Sequence, residues 1–323
     1  MKAIVQDAYG PASLMRLKNI DSPVIADNEV LVGVRAAAVN PPDWVSVTGM
    51  PYVARIAFGL RRPRQVVPGS DMAGTVVTVG KNVTRLQVGT EVFGSGRGTF
   101  AQYAVAAEQN VVAKPANITF EQAAAAPMAG LVALQALQSY GQVLPGQKVL
   151  INGAGGGVGT LAIQIAKSLG AHVSGVCGPT KVDLVRSLGA DKVFDYTQED
   201  FTLIGERYDL ILDNVSKHSL SQLRKVLTPR GTLVVSGSRF DKRWLANAPV
   251  LLIQAPLMSI LVRQSIRTIQ LAPNLSDWLA LRELLDTGKV KPLVGKTYPL
   301  SQAAEAVSHF GEGHARGKIV ITV

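Results

Sequence analysis

The stretch from Lys148 to Gly170, KVLINGAGGGVGTLAIQIAKSLG, constrains the fold more than any other part of the chain. It reads as a buried strand (Val149, Leu150, Ile151), a glycine-packed turn, and a helix with small and apolar residues along one face. That is the geometry that holds a dinucleotide pyrophosphate. Glycines let the backbone approach the phosphates, and the helix N-terminus offers unbonded N–H groups and partial positive charge. The register that fits the helix is Ala154-Gly155-Gly156-Gly157-Val158-Gly159, with alanine in the first of the three usual glycine places. A tight strand–helix turn shaped only by backbone conformation is the plain alternative.

Downstream of this turn, strands and helices alternate. Strands are expected at 171–176, 192–194, 208–212 and 231–236, and helices at 158–169, 180–188 and 217–227. Such alternation implies a parallel sheet with right-handed crossovers, and a strand near 267–271 would complete six. The first 120 residues differ. They are strand-rich and punctuated by glycine, with strands expected at 1–5, 30–39, 74–79, 91–93 and 100–105. Residues 120–140 favour helix, interrupted at Pro127 and Gly130. A helix over 276–286 and short strands at 296–298 and 318–323 finish the chain. The fold class is therefore α/β. A discontinuous β-rich domain (1–122 and 273–323) is expected to enclose a doubly wound parallel-sheet domain (123–272), with the active site in the cleft between them.

Charge and composition narrow the class of protein. Charged residues make up only 17% and hydrophobic residues 47% of 323 residues, which suits a buried parallel sheet. The single cysteine, Cys177, excludes an internal disulfide framework and a multi-cysteine zinc lobe, and points to a reducing cytoplasm. No basic start followed by an apolar run marks a signal peptide. The longest apolar stretch, 248–262, is interrupted by Pro256 and is too short to span a bilayer, so core or subunit packing is its default reading. The net charge of +10 is mostly dispersed, with one dense cluster, Arg61, Arg62 and Arg64 around Pro63. It lacks interleaved aromatics and reads as a solvated loop, a binding patch being the alternative; nucleic acid is not an expected partner.

Several ordered motifs carry a family resemblance: Asn40-Pro41-Pro42-Asp43, Pro68-Gly69-Ser70-Asp71-Met72-Ala73-Gly74, the turn at 154–159, Ser187-Leu188-Gly189-Ala190-Asp191, and Gly313-His314-Ala315-Arg316-Gly317-Lys318. Together the chain resembles the medium-chain dehydrogenase/reductase superfamily. The likeness is to its zinc-independent quinone oxidoreductase branch, specifically the reticulon-4-interacting-protein-like reductases. The resemblance implies a GroES-like β-rich catalytic domain around a Rossmann domain, a homodimer, and hydride transfer from NADPH. Zinc-dependent relatives carry cysteine at the position of Asn40 and His-Glu at Ser70-Asp71. A catalytic zinc needs about three N, S or O ligands. Asn40 and Ser70 are poor ones, and His172, His218, His309 and His314 all lie elsewhere. No metal is expected. Without zinc to acidify an alcohol, reduction of a quinone or an α,β-unsaturated carbonyl becomes the favoured reaction. A metal-free alcohol or aldehyde reductase, and a nucleotide-binding protein that engages RNA or protein partners with weak enzymatic activity, stay open as alternatives.

NAD-binding folds usually place an acid on the ribose about twenty residues past the glycine turn. Here the second strand runs into Val176-Cys177-Gly178-Pro179-Thr180-Lys181, with none. The resemblance implies that Lys181 and, fifteen residues on, Tyr196 hold the 2′-phosphate of NADPH, with Thr180 beside them. The cofactor set is then Gly156, Gly157, Val158, Gly159, Cys177, Thr180, Lys181, Tyr196, Asn214, Gly237 and Ser238. Arg316 and Lys318 are expected to reach the pyrophosphate. For catalysis, Tyr52 is the candidate proton donor or else a pocket wall. Asn40 either donates its amide to the substrate oxygen or is a turn residue, and Asp43 fixes the Asn40 loop. Substrate walls are expected from loops 44–64 and 240–265.

Overall fold

The computed structural model describes residues 1–236, 263–313 and 315–323. Gly237, Ser238, His314 and the apolar stretch 248–262 lie outside the described residues. The chain divides into two compact units, Met1–Ala129 with Pro273–Val323, and Gly130–Ala272.

The first unit is built on a seven-stranded sheet. Its longest strand, Glu29–Ala38, alternates buried Val30, Val32 and Val34 with less buried neighbours, then ends in Ala36, Ala37 and Ala38, all inaccessible. It pairs antiparallel with Asp71–Val79 and with Tyr103–Ala107. The C-terminal strand Lys318–Thr322 joins antiparallel to its end, Val320 opposite Ala38, and pairs parallel with Val294–Pro299. Residues 273–323 thus return to complete the N-terminal β unit. The helix Pro41–Thr48 begins where strand Glu29–Ala38 ends. Its double proline does not stop the chain in a turn. Proline at the first helical positions has no N–H to lose and a φ already suited to helix, and the Asp43 carboxylate accepts the Asn40 N–H at 2.8 Å.

The second unit is a six-stranded, all-parallel sheet. In spatial order its strands are Lys192–Asp195, His172–Cys177, Lys148–Asn152, Tyr208–Asp213, Leu227–Val235 and Ser265–Thr268. This is the Rossmann order, in which the chain reverses direction of growth beside the first strand and leaves a ligand crevice at the strand C-termini. Val149, Leu150 and Ile151 are inaccessible, as suits a strand covered on both faces. The helix Gly157–Ser168 packs on strands Lys148–Asn152 and His172–Cys177, with Leu161, Ile163 and Ile165 all buried. No helix among the described residues is long and apolar enough to cross a membrane.

Candidate functional site

The glycine turn has the shape of a phosphate cradle, and its glycines do different jobs. Gly156 is the N-cap of helix Gly157–Ser168, so the N–H groups of the first turn have no intrahelical partner. A Cβ built on Gly156 would meet only the Gly153 carbonyl, at 3.4 Å. Its hydrogen therefore faces space that a pyrophosphate can occupy. A Cβ on Gly159 would instead lie 2.3 Å from the Gly153 oxygen and 2.7 Å from Ala154 backbone atoms. Gly159 is there so that the helix can sit against its own entry turn. Gly153, with φ +80°, makes the left-handed step that ends the strand. Gly157 and Val158 follow in the first helical turn, both partly accessible.

Lys181 lies across this cradle. The carbons of its side chain run so close to Gly155 that a Cβ there would meet its Cδ at 2.6 Å. Thr180 is exposed beside it, in the short turn Pro179–Lys181. Tyr196 is 52% exposed, its N–H donates to the Cys177 carbonyl at 3.1 Å, and its hydroxyl stands over Gly178. Lys217, a residue the sequence reading missed, brings its ammonium within 5.5 Å of the Tyr196 ring. The fold thus gathers Lys181, Thr180, Tyr196 and Lys217 around the ends of neighbouring strands. The nearby Asp195 carboxylate is turned back on Thr197, accepting its N–H at 2.9 Å and its hydroxyl at 2.8 Å. A basic position just after the fourth strand was the available signal for Lys217. The Cys177 side chain is buried, and burial pushes its thiol up to about 11, while its carbonyl accepts the Tyr196 N–H. Asn214 spends its side chain on the strands, donating to the Asn152 carbonyl at 2.9 Å and accepting from the Ser236 hydroxyl. A nicotinamide dinucleotide fits these residues: the cradle and helix terminus, with cations nearby, answer its pyrophosphate.

In the first unit the motif residues Asn40, Asp43, Ser70, Asp71 and Lys318 form one buried polar centre, and this corrects two expectations. Lys318 does not reach toward a pyrophosphate. It is 5% exposed, and its ammonium donates to the Val39 carbonyl at 3.1 Å and to the Asn40 side-chain oxygen. Its strand lies against Glu29–Ala38, which turns the side chain inward toward two carboxylates. Asn40 has no amide to spare for substrate. It is 1% exposed, its oxygen takes the Lys318 ammonium, and its nitrogen donates to the Ala38 carbonyl at 3.3 Å and to Asp71. Asp43 accepts the Asn40 N–H and the Ser70 hydroxyl, the latter at 3.1 Å. Asp71 accepts the Ser95 hydroxyl at 3.2 Å and the Met128 N–H at 3.0 Å. Burial, and next the Asp71 charge, push Asp43 up to about 7. Burial also raises Asp71 and lowers Lys318, while each carboxylate pulls Lys318 back up.

This centre does not fit zinc. The position next to Asn40 holds a buried ammonium, which would repel a dication, and the Ser70 hydroxyl is engaged with Asp43. Among the described residues no group of three His, Cys, Asp or Glu side chains could hold a metal ion. Tyr52 lies elsewhere on the same unit, 66% exposed, with the Arg55 guanidinium 4.7 Å from its ring centre. Arg316 is exposed.

A GroES-like unit joined to a Rossmann unit with a phosphate cradle defines a nicotinamide-dependent oxidoreductase. Residues 26–116 match the family described as Alcohol dehydrogenase GroES-like domain, and residues 188–321 match Zinc-binding dehydrogenase. The chain is 31% identical to the chloroplast envelope quinone oxidoreductase homolog of Arabidopsis thaliana, over 99% of this chain and 98% of that protein. It is also 31% identical to the mitochondrial NAD(P)H oxidoreductase RTN4IP1 of Mus musculus, over 100% of this chain and 89% of that one. The solved quinone oxidoreductase of Coxiella burnetii superposes with a TM-score of 0.85 at 29% identity, covering 100% and 99% of the two chains. The chain belongs to the medium-chain dehydrogenase/reductase superfamily, in its zinc-independent, quinone oxidoreductase-like branch.

Proposed function

We propose that the protein is an NADPH-dependent reductase of quinones and α,β-unsaturated carbonyls that works without a metal. The observation that carries this reading is the buried ammonium of Lys318 beside Asn40, where a zinc-dependent dehydrogenase would need a ligand set. An acceptor reduced there cannot rely on Lewis-acid activation, so it must already be electrophilic, as quinones and enones are. NADPH when bound supplies the hydride from C4 of its reduced nicotinamide. The Gly155–Gly159 cradle and the helix N-terminus hold the pyrophosphate, and Lys181, Tyr196 and Lys217 hold the 2′-phosphate. Tyr52 supplies the proton that the reduced acceptor takes up, with the Arg55 guanidinium lying beside its ring. The centre around Asp43 sets the loop that leads from Asn40 to Tyr52. The protein is further proposed to act as a homodimer, and to work in a reducing cytoplasm, the second of which its one buried free cysteine supports.

The experiment is a panel of quinones, enones, aldehydes and alcohols followed by NADPH absorbance, with and without a chelator. Quinone or enone turnover that ignores the chelator is expected; turnover confined to alcohols and aldehydes would overturn the proposal. Lys181→Ala should raise the KM for NADPH about ten-fold or more, since a charge-assisted contact contributes ~1.5–3 kcal/mol, and should leave the KM for NADH nearly unchanged. Equal effects on the two cofactors would remove Lys181 from the 2′-phosphate site. Tyr52→Phe should lower kcat for enones by about 10²-fold while KM for NADPH holds. An unchanged kcat would make solvent water the proton source.

A further inference from the structure

The chain from Trp44 to Ser70 holds four arginines, Arg55, Arg61, Arg62 and Arg64, and no acidic residue. The same stretch leaves large apolar side chains in solvent: Ile56 is 66% exposed, Leu60 71% and Val66 48%. Exposed apolar groups beside unopposed positive charge call for an explanation that a solvated loop does not give. Arg61, Arg62 and Arg64 make no ion pair among the described residues.

The segment is also held firmly. The Tyr9 hydroxyl donates to the Gly59 carbonyl at 2.6 Å, and the Arg64 N–H donates to the Phe58 carbonyl at 2.8 Å. The Arg55 guanidinium lies over the Tyr9 ring at 4.5 Å while its Nε donates to the Gly49 carbonyl at 3.1 Å. Pro63 is buried between the arginines, and the Gln6 N–H donates to the Val66 carbonyl at 2.9 Å. The backbone is therefore pinned to the β unit while Ile56, Leu60 and the three arginines stay outside. A disordered tail would not keep this arrangement.

We propose that residues 56–66 form a dock for an anionic lipid surface. Ile56, Leu60 and Val66 enter the boundary between headgroups and acyl chains, and Arg61, Arg62 and Arg64 meet the lipid phosphates. Aliphatic groups gain nothing from a nucleic-acid backbone, and no aromatic stands between Arg61 and Arg64, so a lipid fits better than RNA. The net charge of +10 adds long-range attraction to the same surface. If the proposed function holds, docking would bring the enzyme to acceptors that dissolve in bilayers, but the dock does not depend on that function.

The test is flotation of the full chain with vesicles of phosphatidylcholine, with and without phosphatidylglycerol. Binding is expected only with phosphatidylglycerol and is expected to weaken as salt rises. The triple variant Arg61→Ser/Arg62→Ser/Arg64→Ser should partition about a hundred-fold more weakly. Ile56→Ser/Leu60→Ser should weaken binding even at low salt. Both variants should keep the wild-type thermal midpoint and wild-type NADPH affinity, which separates loss of docking from loss of fold. Equal binding to both vesicle types, no binding at all, or binding that ignores both variants would overturn the dock. So would loss of a dimer in Ile56→Ser/Leu60→Ser without any vesicle binding by the wild type, since the face would then belong to a second copy.

Discussion

Lys318→Met is expected to cost the fold about 3–5 kcal/mol, the usual penalty for stripping one partner from a buried ion cluster. Methionine fills a similar volume, so the loss is electrostatic rather than a cavity. Asp71 and Asp43 would then share an interior with no counter-ion, and the Val39 carbonyl and Asn40 oxygen would lose their donor. A fall in the urea midpoint at constant slope measures the effect. The double variant Lys318→Met/Asp71→Asn should be less destabilised than the sum of its single variants, because the second change removes one of the stranded charges. A strictly additive result would show that Lys318 and Asp71 do not interact.

The same centre predicts how stability depends on pH. Asp43 keeps its proton up to about 7 in the folded chain, against 3.8 when unfolded. Between those values the folded state binds more protons than the unfolded one, so stability falls as pH rises from about 4 to 7. In Asp43→Asn, which cannot ionise, that part of the slope should vanish, and urea titrations at several pH values read it directly. A wild-type stability that rises across this window would contradict the assignment.

What the sequence reveals here follows the range of the interactions. The cradle was legible because strand, turn and helix are contiguous and each has its own local signature. The alternation called for a sixth strand in the Rossmann sheet and placed it near 267–271, two to three residues beyond the observed Ser265–Thr268. Helix Pro41–Thr48 was missed because its prolines read as a turn, although Asn40 followed three residues later by Asp43 is a helix-start pattern. Helix Ala303–Gly311 was missed too, yet Ala303, Ala306, Val307 and Phe310 sit at helical spacing. Lys318 was misread for a different reason. Its partners Val39 and Asn40 are 279 and 278 residues away in sequence, and nothing near Lys318 distinguishes a buried lysine from an exposed one. Asn40 failed with it, because the amide can be known to be committed only once Lys318 is placed.

The largest effect in the Rossmann unit should come from alanine at two neighbouring glycines, with different outcomes. Gly159→Ala places a methyl 2.3 Å from the Gly153 oxygen and against Ala154 backbone, where no side-chain rotation gives relief. Helix and turn must separate, at a cost of about 1–3 kcal/mol or more, and cofactor binding falls with the fold. Gly156→Ala meets only the Gly153 oxygen at 3.4 Å, and its φ of −90° suits alanine, so the thermal midpoint should hold. The added methyl nevertheless fills the space a pyrophosphate would take. Losing one or two phosphate hydrogen bonds at ~1.5–3 kcal/mol each lowers NADPH affinity by about ten- to a hundred-fold or more. Calorimetric NADPH binding beside a thermal melt separates the two cases. Unchanged binding in a well-folded Gly156→Ala would mean that the turn serves only to join strand to helix, and the dinucleotide would have to be sought elsewhere.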